Sequence, residues 1–488
     1  MAIVQNAQDV SAFSCGSIDP KTRLSITRTR SQHSVPQAGE PDASVDPSPT
    51  TPSNPTASLT EVTARCESAD DLSNGKLQRF LDLAENGFKY TLEKAQLILP
   101  HTNTDPSPVY QHAVHADRFL ALQSLYIGGF FPTTTSMYTF RSLRHLRLCN
   151  FYRDLEGTLM SLQEFVAVLG TWTELEDLDL RGYYPALALS EGHPRPPAVT
   201  LPNLRKLTVA DAPEFFPMLL PCLRLRPTAD VHLITLHHKP AYPRNCADAF
   251  CPLAFQNRAS NFPILSEVDE VTISTASPEQ EEYGLRIAGR SASGGSFVYD
   301  LRTTASIDLD HDMEFRCWAV DWALQALPRL FPSGARMRTI RCAARLRDVD
   351  EKTWVGVLQA YPALEELGVD GCGTEDVSQL FIALGWPSQG TNVMCRTLNR
   401  LAVRSAVYTP EFMAEVARCF NHRWYYSRGA AARTVLQLGM VICDHPYSPE
   451  HQTQDVAKLK ESGVDAYIQA ENIWDVLKAI ELECGLSA

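Results

Sequence analysis

The stretch Tyr361–Gly373, YPALEELGVDGCG, decides how this chain is read. Leu364, Leu367 and Val369 fall in the spacing L-x-x-L-x-L. Leu367 and Val369 flank a single non-apolar position, so a strand here sends both side chains to one face. Leu364, three positions earlier, turns the chain in from the preceding loop. Upstream, DEKTWVGVLQAYP has helical spacing, and downstream TEDVSQLFIALGW has it again. The unit is therefore strand, loop, helix and return.

The same template recurs on both sides. Towards the N-terminus it reads MRTIRC from Met337, VDEVTI from Val268, VHLITL from Val231 and LRKLTV from Leu204. Further back come LEDLDL from Leu175, LRHLRL from Leu143 and LQSLYI from Leu122. Towards the C-terminus stand LNRLAV from Leu398 and VLQLGM from Val435, while TASIDL from Thr304 fits poorly. Successive starts lie roughly 21 to 37 residues apart, the range of repeat architectures. Between them GTLMSLQEFVAVLGTW carries Leu159, Leu162, Phe165, Val166 and Leu169 at helical spacing, and MEFRCWAVDWALQALPRLF and TPEFMAEVARCFNHRWYY behave likewise. Thr374 with Glu375 and Asp376, and Thr409 before Pro410, supply N-terminal helix chemistry.

Stacking such units buries in each what its neighbour exposes. The expected fold is α/β: an irregular leucine-rich-repeat solenoid with a parallel sheet on one face and helices on the other. Leu146, Leu148, Leu178, Leu180, Leu367 and Val369 should be buried, with Arg147, Asp179 and Gly368 on the open face. The competing reading is an ordinary α/β domain whose strands resemble one another by chance.

Three regions follow. Residues 1–75 are expected to be a disordered Ser/Pro-rich tail, since Ser31–Thr60 is mostly Ser, Thr, Pro, Ala and acid. The arginines around Ser31 and Ser34 leave open a phosphorylation-controlled docking site there, against a plain solvated tail. Residues 76–446 are the repeat region, with a helix near Leu77 and a strand after it. Residues 447–488 are read as a polar helical cap.

Composition narrows the function. In 488 residues, 57 acidic side chains against 44 basic ones leave −13, which disfavours nucleic acid as a partner. No apolar run is long enough to span a membrane, and MAIVQNAQDVSAFSC lacks the pattern of a secretory signal. Thirteen scattered cysteines, among them Cys149, Cys317, Cys342, Cys372, Cys419 and Cys443, without a CxxC pair, read as reduced thiols. The expectation is a cytoplasmic or nuclear protein with no membrane contact.

Catalytic signals are weak. HExxH, GxSxG, the phosphate-loop GxxxxGK[ST] and GxGxxG are all missing. His237, His238, Cys246 and Cys251 lie close together, but the two adjacent histidines would struggle to share one zinc ion, and the set reads as a surface histidine pair and buried thiols. Asp308, Asp310, His311, Asp312 and Glu314 read as a solvated acidic loop before a helix capped by Asp312. Gly294 and Gly295 suit a hairpin turn. No catalytic residue, cofactor or metal is expected.

YPALEELGVDGCG, FRSLRHLRLCNF (Phe140–Phe151) and LPNLRKLTVADAP (Leu201–Pro213) resemble the leucine-rich-repeat part of fungal, mushroom-type F-box proteins. The order WVGVLQAYPALEELGVDGC, helix, CRTLNRLAV, helix, VLQLGMVICDHP is similar to their substrate-receptor region. The resemblance covers about Leu77 to Pro446. It implies a non-catalytic module that recognises a protein partner in ubiquitin-ligase substrate selection. An F-box opening with a motif such as L-P-x-E-I/L is not found upstream of the repeats. The implied docking to a cullin–RING ligase adaptor therefore transfers to no residue here and requires an F-box further upstream. The alternative function is an enzyme of unknown chemistry on a conventional α/β fold.

Residues on or just past each strand are the candidate partner-binding set: Phe130, Phe131, Arg147, Arg181, Tyr183, Tyr184 and Arg404. The aromatics among them would either anchor an interface or fold back over the core.

Overall fold

The computed structural model describes residues 61–65, most of 79–98, 111–149, 160–182, 187–188, most of 196–237, 257–275, 283–303, 309–332, most of 336–370, most of 377–407, 409–427, 434–441 and most of 449–471. The fold is mixed α/β, built on a large, mostly parallel sheet and helices. The chain divides into two compact units, residues 1–192 and 193–488.

In the N-terminal unit the strands β1 (Glu61–Arg65), β2 (Lys94–Ile98), β3 (Ser124–Gly128), β4 (His145–Cys149) and β5 (Asp177–Arg181) pair in parallel, in chain order. Their register stacks like on like. Val62, Ala95, Leu125, Leu146 and Leu178 form one buried row, and Leu97, Ile127, Leu148 and Leu180 line the next. The first template position completes the layer through Leu122, Leu143 and Leu175, all buried.

The template also reaches three residues further back. The amide of Leu122 donates to Phe119 O, that of Leu143 to Phe140 O, and that of Leu175 to Trp172 O. Each of those three aromatics is buried, and Phe140 and Trp172 pack with ring centroids 6.1 Å apart. Trp172 donates its indole N–H to Met137 O at 2.9 Å, so its one polar atom stays paired. Helix α1 (Leu162–Leu169) starts in a capping box. Ser161 accepts from the Glu164 amide at 3.1 Å, and Glu164 accepts from the Ser161 amide at 2.8 Å.

The C-terminal unit continues the pattern with one interruption. Its strands are β6 (Lys206–Asp211), β7 (Asp230–His237), β8 (Glu270–Thr275), β9 (Tyr283–Arg290), β10 (Ser296–Thr303), β11 (Thr339–Ala343), β12 (Glu366–Asp370), β13 (Arg400–Val407), β14 (Val435–Val441) and β15 (Asp465–Glu471). Spatially the order runs β6, β7, β10, β9, β8, β11, β12, β13, β14, β15. Strands β8, β9 and β10 thus form an antiparallel meander inside an otherwise parallel ladder. Its second turn is the Gly294–Gly295 hairpin. Gly294 has φ +97°, a left-handed conformation suited to glycine. A side chain on Gly295 would strike Ile264 Cδ1 and Pro227 O at 2.7 Å.

One row of this ladder reads Leu207, Val231, Phe297, Gly289, Val271, Ile340, Leu367, Leu401, Leu436 and Ala466. The glycine in it leaves room for the Phe331 ring, 3.0 Å from where a Cβ would sit, and Phe331 meets Phe297 edge-on at 5.8 Å. Helices α2 (Leu309–Leu330), α3 (Glu351–Ala360), α4 (Val377–Gly385), α5 (Pro410–Ser427) and α6 (Pro449–Glu461) pack side by side in the same order. Asp350 caps α3 by accepting from the Thr353 amide at 2.7 Å, and Thr409 caps α5 by accepting from Phe412 at 3.0 Å.

Several expectations are corrected. The copies VHLITL and VLQLGM carry the wrong register. Val231 and Leu233 pair with Leu207 and Val209, and Leu436 and Leu438 pair with Leu401 and Val403, so these occupy the last two template positions. Apolar residues of both parities left the choice to strand pairing. Residues 61–65 are not tail but edge strand, with Val62 only 2% exposed against β2. The C-terminal segment is not wholly helical. After α6, Ala466 and Ile468 alternate inward and β15 adds to β14. The acidic run from Asp310 to Glu314 lies within α2, which starts at Leu309 and needs no cap at Asp312. Thr374, with Glu375 and Asp376, lies outside the described residues.

One buried charge ties the helices to the turns. Arg423 on α5 is 4% exposed and donates to Leu384 O at 3.4 Å, Met394 O at 2.9 Å and Cys395 O at 3.1 Å. It joins the end of α4 to the turn before β13, where Cys395 has φ +44°. Burial pulls its guanidinium below the usual arginine value.

Two stability measurements follow. Leu178→Ala, inside the stacked row, should cost roughly 2–5 kcal/mol by urea denaturation, and a cost near zero would remove this register. Arg423→Met should cost at least about 2 kcal/mol because it strands carbonyls in the interior, and an unchanged midpoint would show the clamp to be idle.

Candidate functional site

Alternate residues of the strands point away from the leucine rows, and on β3, β4 and β5 they build an open face. On the N-terminal unit Tyr126, Arg147 and Asp179 stand in one row across β3, β4 and β5, with Cys149 and Arg181 in the next. Arg147 lies over the Tyr126 ring, its Cζ 4.9 Å from the centroid. Its Nε approaches Asp179 Oδ2 at 3.3 Å and donates to Cys149 Sγ at 3.3 Å. Arg181 grips the same carboxylate with two parallel bonds, Nε at 2.8 Å and Nη2 at 3.0 Å. Asp179 is 15% exposed beneath two half-exposed guanidiniums. Burial pushes the Tyr126 hydroxyl and the Cys149 thiol up, the thiol against the opposing pull of Arg147.

On the C-terminal unit Asp300 of β10 is an enclosed carboxylate, 5% exposed. Arg286, directly opposite on β9, donates Nε at 2.7 Å and Nη2 at 2.8 Å. His232 Nε2 of β7 lies 2.9 Å away and Arg302 Nη2 3.4 Å away. Burial alone would raise the Asp300 carboxyl, but the bonds from Arg286 and His232 win and hold it well below the carboxylate range. Further along, Arg341 reaches Glu270 at 3.1 Å and Glu366 at 3.3 Å, and Arg400 approaches Glu366 at 3.9 Å. Gly368 makes this possible: the Arg341 Cγ lies 3.3 Å from where a Cβ would stand. Such exposed pairs contribute roughly 0–1 kcal/mol each, so they organise the face more than they stabilise it.

The buried thiols are poorly suited to nucleophilic work. Burial pushes Cys342, Cys395 and Cys419 up to about 12, so they stay protonated at neutral pH. Cys395 instead donates weakly to Leu358 O and Tyr361 O. Among the described residues no group of three or more His, Cys, Asp or Glu is placed to hold a metal ion. His237 ends β7; His238, Cys246 and Cys251 lie outside the described residues. No helix among the described residues is long and apolar enough to cross a membrane.

Of the residues singled out from sequence, Arg147 and Arg181 are brought together on one carboxylate. Arg404 is exposed on β13, opposite Asp370. Phe130 and Phe131 are not surface anchors; at 2% and 3% exposure they fold back into the core at the end of β3. Tyr183 and Tyr184 lie outside the described residues. The sequence reading did not single out Tyr126, His232, Arg286 or Asp300 as site residues. Tyr126 was legible as the residue between two inward template positions, whereas the Asp300 cluster depends on the meander. Comparison with protein-family models and with curated proteins finds no match for this chain.

Asp300 yields a pH test. Its folded pKa lies below the unfolded value, so its stabilisation is complete above about pH 4 and is lost as pH falls towards the folded value. Asp300→Asn should cost roughly 1–3 kcal/mol at pH 7 by urea denaturation and should flatten the acid limb of stability. Parallel acid limbs for both proteins would show that this cluster does not set it.

Proposed function

We propose that the chain is a non-catalytic protein-interaction module of leucine-rich-repeat type, whose open sheet face receives a protein partner. The observation that carries this reading is the division of labour along β3, β4 and β5. Inward positions stack into apolar rows, while outward positions on β3, β4 and β5 present Tyr126, Arg147 and Arg181 on a rigid ladder. Arginine and tyrosine on a pre-organised backbone are favoured interface anchors. The repeat spacing and the resemblance to the substrate-receptor region of F-box proteins support the same reading. An intracellular setting accords with the scattered buried thiols. Coupling to a cullin–RING ligase adaptor is part of the proposal only for a chain in which an F-box precedes these residues.

Site-specific photo-cross-linking tests it. A benzophenone side chain replacing Gln96 or Gln437, both on outward strand positions, should trap a protein partner in cell lysate. The same group replacing Lys352 on α3 should not. Equal labelling from all three positions, or none from the sheet positions, would overturn the proposal.

A further inference from the structure

We infer that the open face of β3, β4 and β5 receives an acidic peptide segment of the partner, with Arg147 and Arg181 as its donors and Tyr126 as their platform. This deepens the interaction-module reading and rests on it.

The argument starts with charge. Among the described residues Arg147 and Arg181 share the single carboxylate of Asp179, which leaves one positive charge over. Arg341 and Arg400, by contrast, meet Glu270 and Glu366 two for two. The next carboxylate on β5, Asp177, stands one row back at the strand's start, which places the excess at the strands' C-terminal side.

Donor geometry comes next. Arg181 spends Nε and Nη2 on Asp179, and Arg147 spends only Nε. Among the described residues, Nη1 of Arg181 and both terminal nitrogens of Arg147 have no protein acceptor. Both side chains are about half exposed, at 39% and 46%. Guanidinium edges of this kind match the two oxygens of a carboxylate.

Pre-organisation is the third element. Stacking on Tyr126 and the bonds to Asp179 and Cys149 already hold Arg147 in place, so little rotamer freedom remains to be lost on binding. The chain's net −13 repels an acidic peptide at a distance. At 0.15 M salt that repulsion is screened beyond roughly 8 Å, whereas direct guanidinium–carboxylate contact is not.

The test is fluorescence anisotropy with the full-length chain at 0.15 M salt, using fluorescein-labelled oligoglutamate and oligoglutamine peptides. Oligoglutamate should bind, and oligoglutamine should bind at least about tenfold more weakly. Arg147→Gln with Arg181→Gln should weaken oligoglutamate by at least about tenfold. Asp179→Asn removes the internal competitor and should tighten binding. Circular dichroism and melting curves establish that each variant is folded. Equal binding of the two peptides, or an unchanged affinity in the folded double variant, would overturn the inference. So would weaker binding by folded Asp179→Asn. A phosphoserine peptide preferred over oligoglutamate by more than about tenfold would overturn the choice of carboxylate as the group read. The two proposals fail separately. Lost peptide selectivity with intact cross-linking removes only the acidic ligand, whereas absent cross-linking with intact peptide binding removes the interaction module.

Discussion

Parallel pairing in a fixed register is the constraint from which the rest follows. A slip of one residue would turn every inward leucine outward, and both faces would fail together. Leu125, Leu146 and Leu178 therefore pin each other's strands, as Ile340, Leu367, Leu401 and Leu436 do in the second unit. Each such side chain contributes roughly 1.5–3 kcal/mol on burial, so register is held cooperatively rather than by any single pair. A recurring backbone detail fixes the start of several strands. The carbonyl at the second template position accepts from two amides of the next copy: Gln123 O from Arg144 and His145, Arg144 O from Glu176 and Asp177, and Glu365 O from Asn399 and Arg400.

The open faces inherit their order from that register. Residues that alternate with stacked leucines are forced into rows about one strand spacing apart, the distance over which arginine and carboxylate side chains meet. The Arg147–Asp179–Arg181 group and the Glu270–Arg341–Glu366–Arg400 chain are two outcomes of one geometry, differing in charge balance. Asp300 is the deeper variant. It is enclosed because the meander brings Arg286 directly opposite and β7 brings His232 alongside.

What the amino-acid sequence determined by itself was local and periodic. The L-x-x-L-x-L spacing placed ten strands, and the six test positions from Leu146 to Val369 are all buried. The helix start at Thr409 is cap chemistry, which short-range reading captures. The pairing of Gly294 with Gly295 announced a hairpin for the same reason. Arg147, Arg181 and Arg404 were legible as outward because parity along a strand is a local property.

Tertiary structure decided whatever depends on a neighbour. Alanine at the fourth template position hid β15, since Ala466 becomes core only once a strand pairs beside it. VHLITL and VLQLGM are apolar in both parities, so only pairing with β6 and β13 could choose their register. Phe130 and Phe131 follow a strand as an interface aromatic would, yet the chain turns them into the core. The Asp300 cluster joins residues far apart in sequence through a strand reversal that no spacing announces. Arg423 reads as one more basic residue on an amphipathic helix until three backbone carbonyls converge on it, and burial with those acceptors makes it a structural clamp.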